Sequence, residues 1–419
     1  MVVQHNLRAM NANRMLGITT GVLSKSSEKL SSGYKINRAA DDAAGLAISE
    51  KMRKQMRGLT QASSNAEDGI SAVQTAEGAL TEVHDMLQRM NELAVKAANG
   101  TNALSDRQTI QDEVDQLLTE IDRVAETTKF NEIYLLKGDA NRVEKYLQAK
   151  DAGIDGQLQD GATKATFIMN ELKFGDSISI GGKQYQIGKT AAKGGDTDIQ
   201  DMIKASVSAG ELITIDGVQY TVAADDDSNI NADKNVLSKD QIAAKVVEQS
   251  SVLYKGKTYH VMKDEKSANG TTPDGVDDVD ASVITAERAY SMIRQELTLA
   301  NSIGAKAGGN AVVEEADTAT TQGKAIFVIE EKGKYDVQEA LNFNLHVGAD
   351  ADMTNKIGVT IDALDTRGLG INGLNVKDST GAYATYAIDS IAEAIAHVSK
   401  QRSMIGAIQN RLEHTINNL

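Results

Sequence analysis

Residues 59–94 read LTQASSNAEDGISAVQTAEGALTEVHDMLQRMNELA, and this stretch decides the fold. Small or apolar residues recur in it at alternating intervals of 3 and 4: Leu59, Ala62, Ala66, Gly69, Val73, Ala76, Leu80, Val83, Leu87, Met90 and Ala94. A 3.5-residue period sustained over this length predicts a long helix that packs along another helix. The first half of the stripe is mostly Ala and Gly, which predicts a close helix approach there and bulkier packing after Leu80.

Two further stripes predict the partners of this helix. A turn cluster at residues 99–102 separates it from a second helix, for which Ser105 and Gln108 predict a capping box. The stripe of that second helix is Ile110, Val114, Leu117, Ile121 and Val124. A third stripe begins near Thr385, is interrupted at Arg402, and contains Ile388, Ile391, Ile395, Val398, Ile405, Ile408, Leu412, Ile416 and Leu419. The sequence therefore predicts antiparallel heptad helices that a C-terminal helix closes into a rod.

Residues 141–336 differ from the helical ends, because strand alternation replaces the heptad period. Three similar segments occur there, GKQYQI at 182–187, GVQYTV at 217–222 and GKTYHV at 256–261. Each follows another short apolar run, which predicts a hairpin with Gly at its turn. Helical stretches lie between the hairpins, so the sequence predicts an inserted α+β domain of repeated ββα units. Alternation at 343–347 and 357–361 predicts a small β region within the rod.

Composition excludes several classes of function. The chain has 419 residues and a net charge of -15, which disfavours nucleic acid as a partner because phosphate binding needs a basic face. It contains no Cys, so disulfides and thiolate chemistry are excluded. No run of 18 apolar residues exists, and the N-terminus MVVQHNLRAM lacks the pattern of a cleavable signal peptide. We therefore predict that the protein does not insert into a membrane. If it is secreted, we predict a route that does not use a cleavable signal peptide.

Motifs of cofactor and metal sites fail in context. GLGING at 368–373 matches the dinucleotide fingerprint, but no strand-to-helix unit surrounds it. The acidic segment that begins at Asp225 resembles a calcium loop, yet Ile230 and Val236 occupy its Gly and Glu positions. No His begins an HExxH motif, and no Ser/His/Asp set stands out. The sequence predicts no cofactor, no metal site and no enzyme.

A basic run at Lys51, Arg53, Lys54 and Arg57 could in principle contact nucleic acid. Given the acidic net charge, the simpler interpretation is a solvated helix face whose cations pair with carboxylates.

Several long motifs lie in one order along the chain. They are LSSGYKINRAADDAAGLAISEKMRKQMRGL at 30–59, QRMNELAVKAANGTN at 88–102, EIDRVAETTKFNEIYLL at 120–136, GINGLNV at 370–376 and SKQRSMIGAIQNRLEHTINNL at 399–419. Together they resemble the N- and C-terminal regions of bacterial flagellin. The resemblance covers roughly residues 1–140 and 337–419.

The resemblance implies a structural subunit that polymerises with itself into the bacterial flagellar filament, outside the cell. It implies residues 1–42 as a filament-core helix, residues 43–140 and 337–419 as the helical rod, and residues 141–336 as an inserted, outward-facing variable domain. It also implies export by the flagellar type III machinery and recognition by Toll-like receptor 5. The receptor-binding residues carried over from the family motif are Gln88, Arg89, Glu92, Leu93 and Glu113. An alternative for Leu93 is that it widens the core stripe.

Two other functions stay open at this point, a hook–filament junction protein and a surface adhesin that uses the inserted domain. Flagellins continue past the motif that ends at Leu419, so we expect the chain as given to stay monomeric. We also expect that the bundle folds without residues 141–336, because the seam residues all lie outside that range.

Overall fold

The computed structural model describes residues 6–190, 198–223, 230–231, 234–265, 273–314 and 323–418. Its helices are α1 (Leu7–Ser32), α2 (Ala43–Ala98), α3 (Leu104–Thr127), α4 (Asp198–Ser206), α5 (Lys239–Ala243), α6 (Ala286–Ala300) and α7 (Ala382–Asn418). Two compact units divide these residues. The first contains residues 1–74, 342–359 and 405–419, and the second contains residues 75–341 and 360–404.

The heptad stripe of α2 is buried as its period predicted. From Ala62 to Ala94, every predicted seam position is buried, and Leu59 is half-buried. Leu80, Val83, Leu87 and Met90 are fully inaccessible to solvent. The pattern at 59–94 was therefore sufficient to orient this helix.

Helix α3 begins one residue before the predicted capping box. Its N-cap is Ala103, whose N–H donates to a carboxylate oxygen of Asp106 at 3.2 Å. Gln108 instead donates to Asp112, one turn further along the same helix. The predicted Ser105–Gln108 capping box was wrong because Asp106 occupies the third helical position, where a carboxylate reaches back to the N-cap.

The buried face of α3 also differs slightly from the prediction. Leu117 and Val124 are half-buried, while the fully packed positions are Arg107, Ile110, Val114, Leu118, Ile121 and Ala125. The face follows the 3.6-residue helical period here, since the intervals 3, 4, 4, 3, 4 drift away from a strict heptad.

Helix α7 begins at Ala382, three residues before the predicted start. The Asp378 carboxylate accepts the N–H groups of Thr380, Gly381 and Ala382, which caps its first turn. Gln401 is buried in the stripe and donates from Nε2 to the Thr360 carbonyl oxygen at 3.0 Å. Arg402, which was predicted to interrupt the stripe, is only half-buried beside it.

The packing of the first unit accounts for the small residues in the first half of the α2 stripe. Its core contains Ala66, Val347, Ile357 and Leu412, so a β-hairpin and the end of α7 both pack on this part of α2. A Cβ added at Gly69 would lie 2.3 Å from Leu345 Cδ1. The close approach at Gly69, which was predicted to come from a helix, is made by a strand side chain.

The strands are β1 (Lys129–Phe130), β2 (Ile133–Tyr134), β3 (Arg142–Tyr146), β4 (Gln157–Asp160), β5 (Ala165–Asn170), β6 (Ser177–Ile180), β7 (Lys183–Ile187), β8 (Lys189–Thr190), β9 (Leu212–Ile215), β10 (Val218–Val222), β11 (Val236–Leu237), β12 (Ser251–Tyr254), β13 (Lys257–Met262), β14 (Val283–Ile284), β15 (Val312–Val313), β16 (Lys324–Glu331), β17 (Lys334–Gln338), β18 (Leu341–His346) and β19 (Lys356–Ile361). They form sheets in the orders β11-β10-β9-β12-β13-β8, β14-β7-β6 and β15-β16-β5-β4, together with the pairs β1-β2, β17-β3 and β18-β19. The predicted small β region of the rod is present as β18 and β19.

Three hairpins share one turn geometry. Strand pairs β6/β7, β9/β10 and β12/β13 are each joined by two residues, Gly181-Gly182, Asp216-Gly217 and Lys255-Gly256. All six of these residues have φ between 48° and 81°. Positive φ at both central residues is the signature of the type I′ turn, whose twist matches that of antiparallel strands.

The middle of the chain has two cores. One contains Phe167, Phe327, Ile293 and, from α7, Ala382 and Tyr386. The buried residues of the other lie between 199 and 261 and join α4 and α5 to the six-stranded sheet, and half-buried Phe174 packs against them from outside that range. Because the first core includes part of α7, residues 141–336 share packing with the helical rod. Among the described residues, none from α7 belongs to the second core.

Glu211 fixes the start of β9 and should make this sheet sensitive to acid. The Tyr254 hydroxyl at 2.6 Å, the Ser208 N–H and the Lys255 ammonium lower the pKa of Glu211 to about 2. A depressed carboxyl pKa stabilises the fold above the unfolded pKa, and that contribution is lost as pH falls through the folded pKa. We expect Glu211→Gln to lower the melting temperature at neutral pH, and the difference from wild type to shrink between about pH 4.5 and pH 2. Circular dichroism melts across this range check it, and a constant difference would contradict it.

Candidate interaction surfaces

Helix α1 presents an uncovered apolar surface. It begins with a side-chain cap, the Asn6 oxygen accepting the Ala9 N–H, and ends at Gly33 with φ 74°. None of its residues is buried. Its large apolar side chains are between 55% and 87% exposed: Leu7, Met10, Met15, Leu16, Ile18, Val22, Leu23 and Leu30. Large apolar side chains left exposed in this number along one helix indicate an interaction surface.

The first turns of α2 also carry exposed apolar side chains. Ile48, Met52 and Met56 are each more than half exposed, at every fourth position of the helix. They alternate with the basic run, in which Arg53 pairs with Glu50 at 2.9 Å. Apolar residues framed by charges are typical of a surface that is covered by another chain.

Four of the five predicted receptor residues are accessible and clustered. The Arg89 guanidinium donates to Glu113 Oε1 from Nε at 2.9 Å and from Nη2 at 2.8 Å, and from Nη1 to Glu92 Oε2 at 3.1 Å. These carboxylates raise the pKa of Arg89, Glu113 contributing most. Gln88 is exposed beside them. The geometry is a charged, hydrogen-bonded surface across α2 and α3.

Leu93 does not belong to that surface. Its exposed fraction is 3%, and it is buried together with Leu87, Met90 and Ala94. This burial does not fit the expectation that Leu93 belongs to the receptor-binding surface, and it favours the alternative that Leu93 widens the core stripe. The physical reason is that α2 packs against more than one element, so its apolar face must exceed the width of a two-helix seam.

Sequence reasoning missed Arg107, which connects three segments. The side chain is 2% exposed, and its guanidinium donates to the carbonyl oxygens of Ala97 at 2.8 Å, Asn99 at 3.1 Å and Asp378 at 3.2 Å. It therefore satisfies carbonyl groups at the end of α2 and in the loop before α7. The sequence did contain a sign that Arg107 is buried, because Arg107 lies three residues before Ile110 and so falls on the apolar face of α3.

The segment GLGING at 368–373 forms turns. Gly370 and Gly373 have φ of 69° and 70°, while Leu369 and Ile371 are buried. Just before it, Thr366 donates from its N–H and its hydroxyl to the Asp122 carboxylate, at 2.8 and 3.0 Å. This segment therefore fixes the loop against α3.

The acidic segment that resembles a calcium loop was not predicted to bind metal. Most of the acidic segment that begins at Asp225 lies outside the described residues. Within the described ranges, no group of three or more His, Cys, Asp or Glu side chains could hold a metal ion. In that same part of the chain, no helix is both long and apolar enough to cross a membrane.

Comparison with known proteins identifies the family. The bacterial flagellin N-terminal helical region matches residues 3–141, and the bacterial flagellin C-terminal helical region matches residues 388–419. A flagellin of Clostridium tyrobutyricum is 36% identical over 420 residues, which cover 100% of this chain and 87% of that protein. The chain belongs to the flagellin family.

Similarity to other flagellins is concentrated in part of the chain. A flagellin of Halalkalibacterium halodurans is 58% identical over 180 residues, which cover 43% of this chain and 61% of that protein. The solved structure of FliC from Burkholderia pseudomallei matches with a TM-score of 0.30 and 20% identity, covering 82% of this chain and 99% of that one.

Proposed function

We propose that this flagellin is a structural subunit of a bacterial flagellar filament, secreted through the flagellar type III machinery and assembled by contacts between copies. The full-length match to a flagellin carries the proposal. The exposed apolar faces of α1 and of residues 43–58 support it, since a filament would remove such surfaces from water.

Disruption of the gene in its own bacterium tests this function. We expect cells without filaments, restoration by the intact gene, and peptides from residues 43–418 in sheared filaments of wild-type cells. Filaments that persist without this protein would contradict the subunit role. A hook–filament junction role predicts instead that the protein is found only at the filament base.

We propose residues 1–42 as the filament-core helix, residues 43–140 and 337–419 as the rod, and residues 141–336 as the outward-facing variable domain. The three hairpins with their type I′ turns support a repeated ββα unit in that domain. The core around Phe167 includes Ala382 and Tyr386 of α7, whereas the buried residues of the second core all lie between 199 and 261, with Phe174 packed against them.

Deleting residues 191–262 should therefore leave the remainder folded. Thr190 pairs with Met262 in parallel register, so a short Gly-Ser linker from Thr190 to Lys263 spans the gap. We expect one cooperative melt and a higher helical fraction per residue, measured by circular dichroism. The larger deletion of residues 141–336 is the comparison, and it should melt at a lower temperature because it uncovers Ala382 and Tyr386. Equal melting of the two deletions would contradict this assignment.

We further propose that Toll-like receptor 5 binds the surface formed by Gln88, Arg89, Glu92 and Glu113. These positions carry the family motif, and their exposure and mutual hydrogen bonds support it. The receptor must compete for an Arg89 side chain that already has two carboxylate partners, so the free energy of binding depends on Glu113 as well.

Two alanine variants separate this surface from the core. Arg89→Ala should weaken receptor binding with a melting temperature close to wild type, because exposed ion pairs contribute little to stability. Leu93→Ala should lower the free energy of unfolding by about 2 kcal/mol or more, since it opens a cavity. Receptor binding and thermal unfolding of both variants check this. Unchanged binding by Arg89→Ala would refute the surface.

A further inference from the structure

A polar cleft of about 350 Å³ lies in the second unit, between the end of α3, the β3/β17 pair and the loop after β19. Its lining residues are Asp122, Ala125, Glu126, Lys137, Arg142, Asp336, Gln338, Asp365 and Arg367. Seven of these nine side chains carry charge, in contrast to the apolar lining of most ligand pockets. The cleft has no part in the filament or receptor surfaces described above.

Most carboxylates of the cleft are already engaged. Asp122 accepts two hydrogen bonds from Thr366, and Asp336 pairs with Lys306 at 2.9 Å. Asp365 accepts the Gly368 N–H at 2.7 Å. Glu126 is the fourth carboxylate of the lining, and Lys306 balances the charge of Asp336, which leaves three carboxylates beside the three cations of the cleft.

The cations of the cleft are not engaged in this way. Among the described residues, no carboxylate lies within ion-pair distance of Lys137, Arg142 or Arg367. Lys137 is over the Tyr134 ring, 5.4 Å from its centroid, and is half-buried. Arg142 and Arg367 are exposed on different elements, a strand and a loop. Two guanidinium groups and an ammonium thus border one cavity with their donors available.

We propose that this cleft binds a small anion with paired oxygens, either a phosphate or a carboxylate. The planar fork of a guanidinium matches both groups, and charge-assisted hydrogen bonds of this kind are stronger than neutral ones. The volume exceeds that of a single anionic group, so the ligand is a small molecule that carries the group. Arg142 and Arg367 bind its oxygens from two sides, and Lys137 adds a third positive charge.

Calorimetric titration at constant ionic strength tests this inference, with inorganic phosphate and citrate as the two probes. We expect saturable binding of at least one probe at one site per chain, with a Kd of about 1 mM. The tighter probe identifies whether the site prefers phosphate or carboxylate. Arg142→Gln and Arg367→Gln should each weaken binding about 10-fold, the expected loss of one charge-assisted hydrogen bond.

Arg53→Gln is the matched control, because Arg53 is also exposed but pairs with Glu50 and is not among the residues that line the cleft. It should bind like wild type. Both cleft arginines are exposed and on separate elements, so at least one variant should keep the wild-type melt. Absence of saturable binding, or equal binding by all three variants, would overturn the proposal.

Discussion

Replacing Arg107 by methionine should lower the free energy of unfolding by about 3 kcal/mol or more. The substitution keeps most of the apolar stem but removes hydrogen bonds to three carbonyl oxygens, those of Ala97, Asn99 and Asp378. A hydrogen bond from a charged donor contributes about 1.5 to 3 kcal/mol, and buried carbonyls left without a donor add a desolvation cost. The effect is large because one side chain connects the end of α2 to the loop before α7.

Two other substitutions make this measurement specific. Arg107→Lys should recover only part of the stability, because an ammonium cannot reproduce the fork of donors. Arg123→Met, on the same helix, removes an exposed guanidinium that pairs with Glu120 and should change stability by no more than about 0.5 kcal/mol. Denaturant unfolding of the three variants provides the comparison. If Arg107→Met and Arg123→Met gave equal values, the connecting role of Arg107 would be wrong.

Phe167→Ala should cost about 3 to 5 kcal/mol, the range for truncating a fully buried aromatic residue. The Phe167 ring is inaccessible to solvent and lies 6.2 Å from the Phe327 ring, centroid to centroid. A Cβ added at Gly156 would meet the ring at 2.4 Å, so the space around it is tightly filled. The same core includes Ala382 and Tyr386, so the cavity should destabilise the start of α7 as well as the sheet.

Hydrogen exchange distinguishes this shared core from an independent domain. In Phe167→Ala, amides in the first turns of α7 should lose protection together with those of β5 and β16. Val312→Ala is the control, because Val312 is 52% exposed on β15 of the same sheet and should change stability by less than about 0.5 kcal/mol. Loss of protection confined to the strands would show that the sheet and α7 unfold separately.

The helical part of the fold could be predicted from sequence, because a heptad stripe indicates which residues of a helix are buried. Ala62 through Ala94 lie where the period places them, and the three hairpins follow from Gly at their turns. What failed were choices between neighbouring positions. Leu117 yielded to Leu118, because a period fixes a helix face but not which of two adjacent residues packs best. The N-cap is Ala103 instead of Ser105, and Asp106 takes the role predicted for Gln108.

The interaction surfaces were predictable only in part. Arg89 and Glu113 came from a motif, and their mutual hydrogen bonds agree with a common surface. Leu93 failed because the number of elements packed on α2 cannot be read from α2 alone. Arg107, the Phe167 core and the charged cleft required the tertiary structure, since their members are brought together from segments far apart in the chain.

The distance between such partners has a consequence for biosynthesis. Asp122 and Thr366 are separated by 244 residues, and Arg107 of α3 donates to the carbonyl oxygen of Asp378, just before α7 begins at Ala382. At a synthesis rate of 5 to 20 residues per second, about 15 to 60 s pass between the completion of α2 and the appearance of α7. Throughout that interval Asp122 lacks Thr366, and Arg107 lacks the Asp378 carbonyl oxygen. The nascent chain must spend this time unfolded, collapsed or held by another protein, so its N-terminal half is the part most exposed to aggregation and to chaperones in the cell.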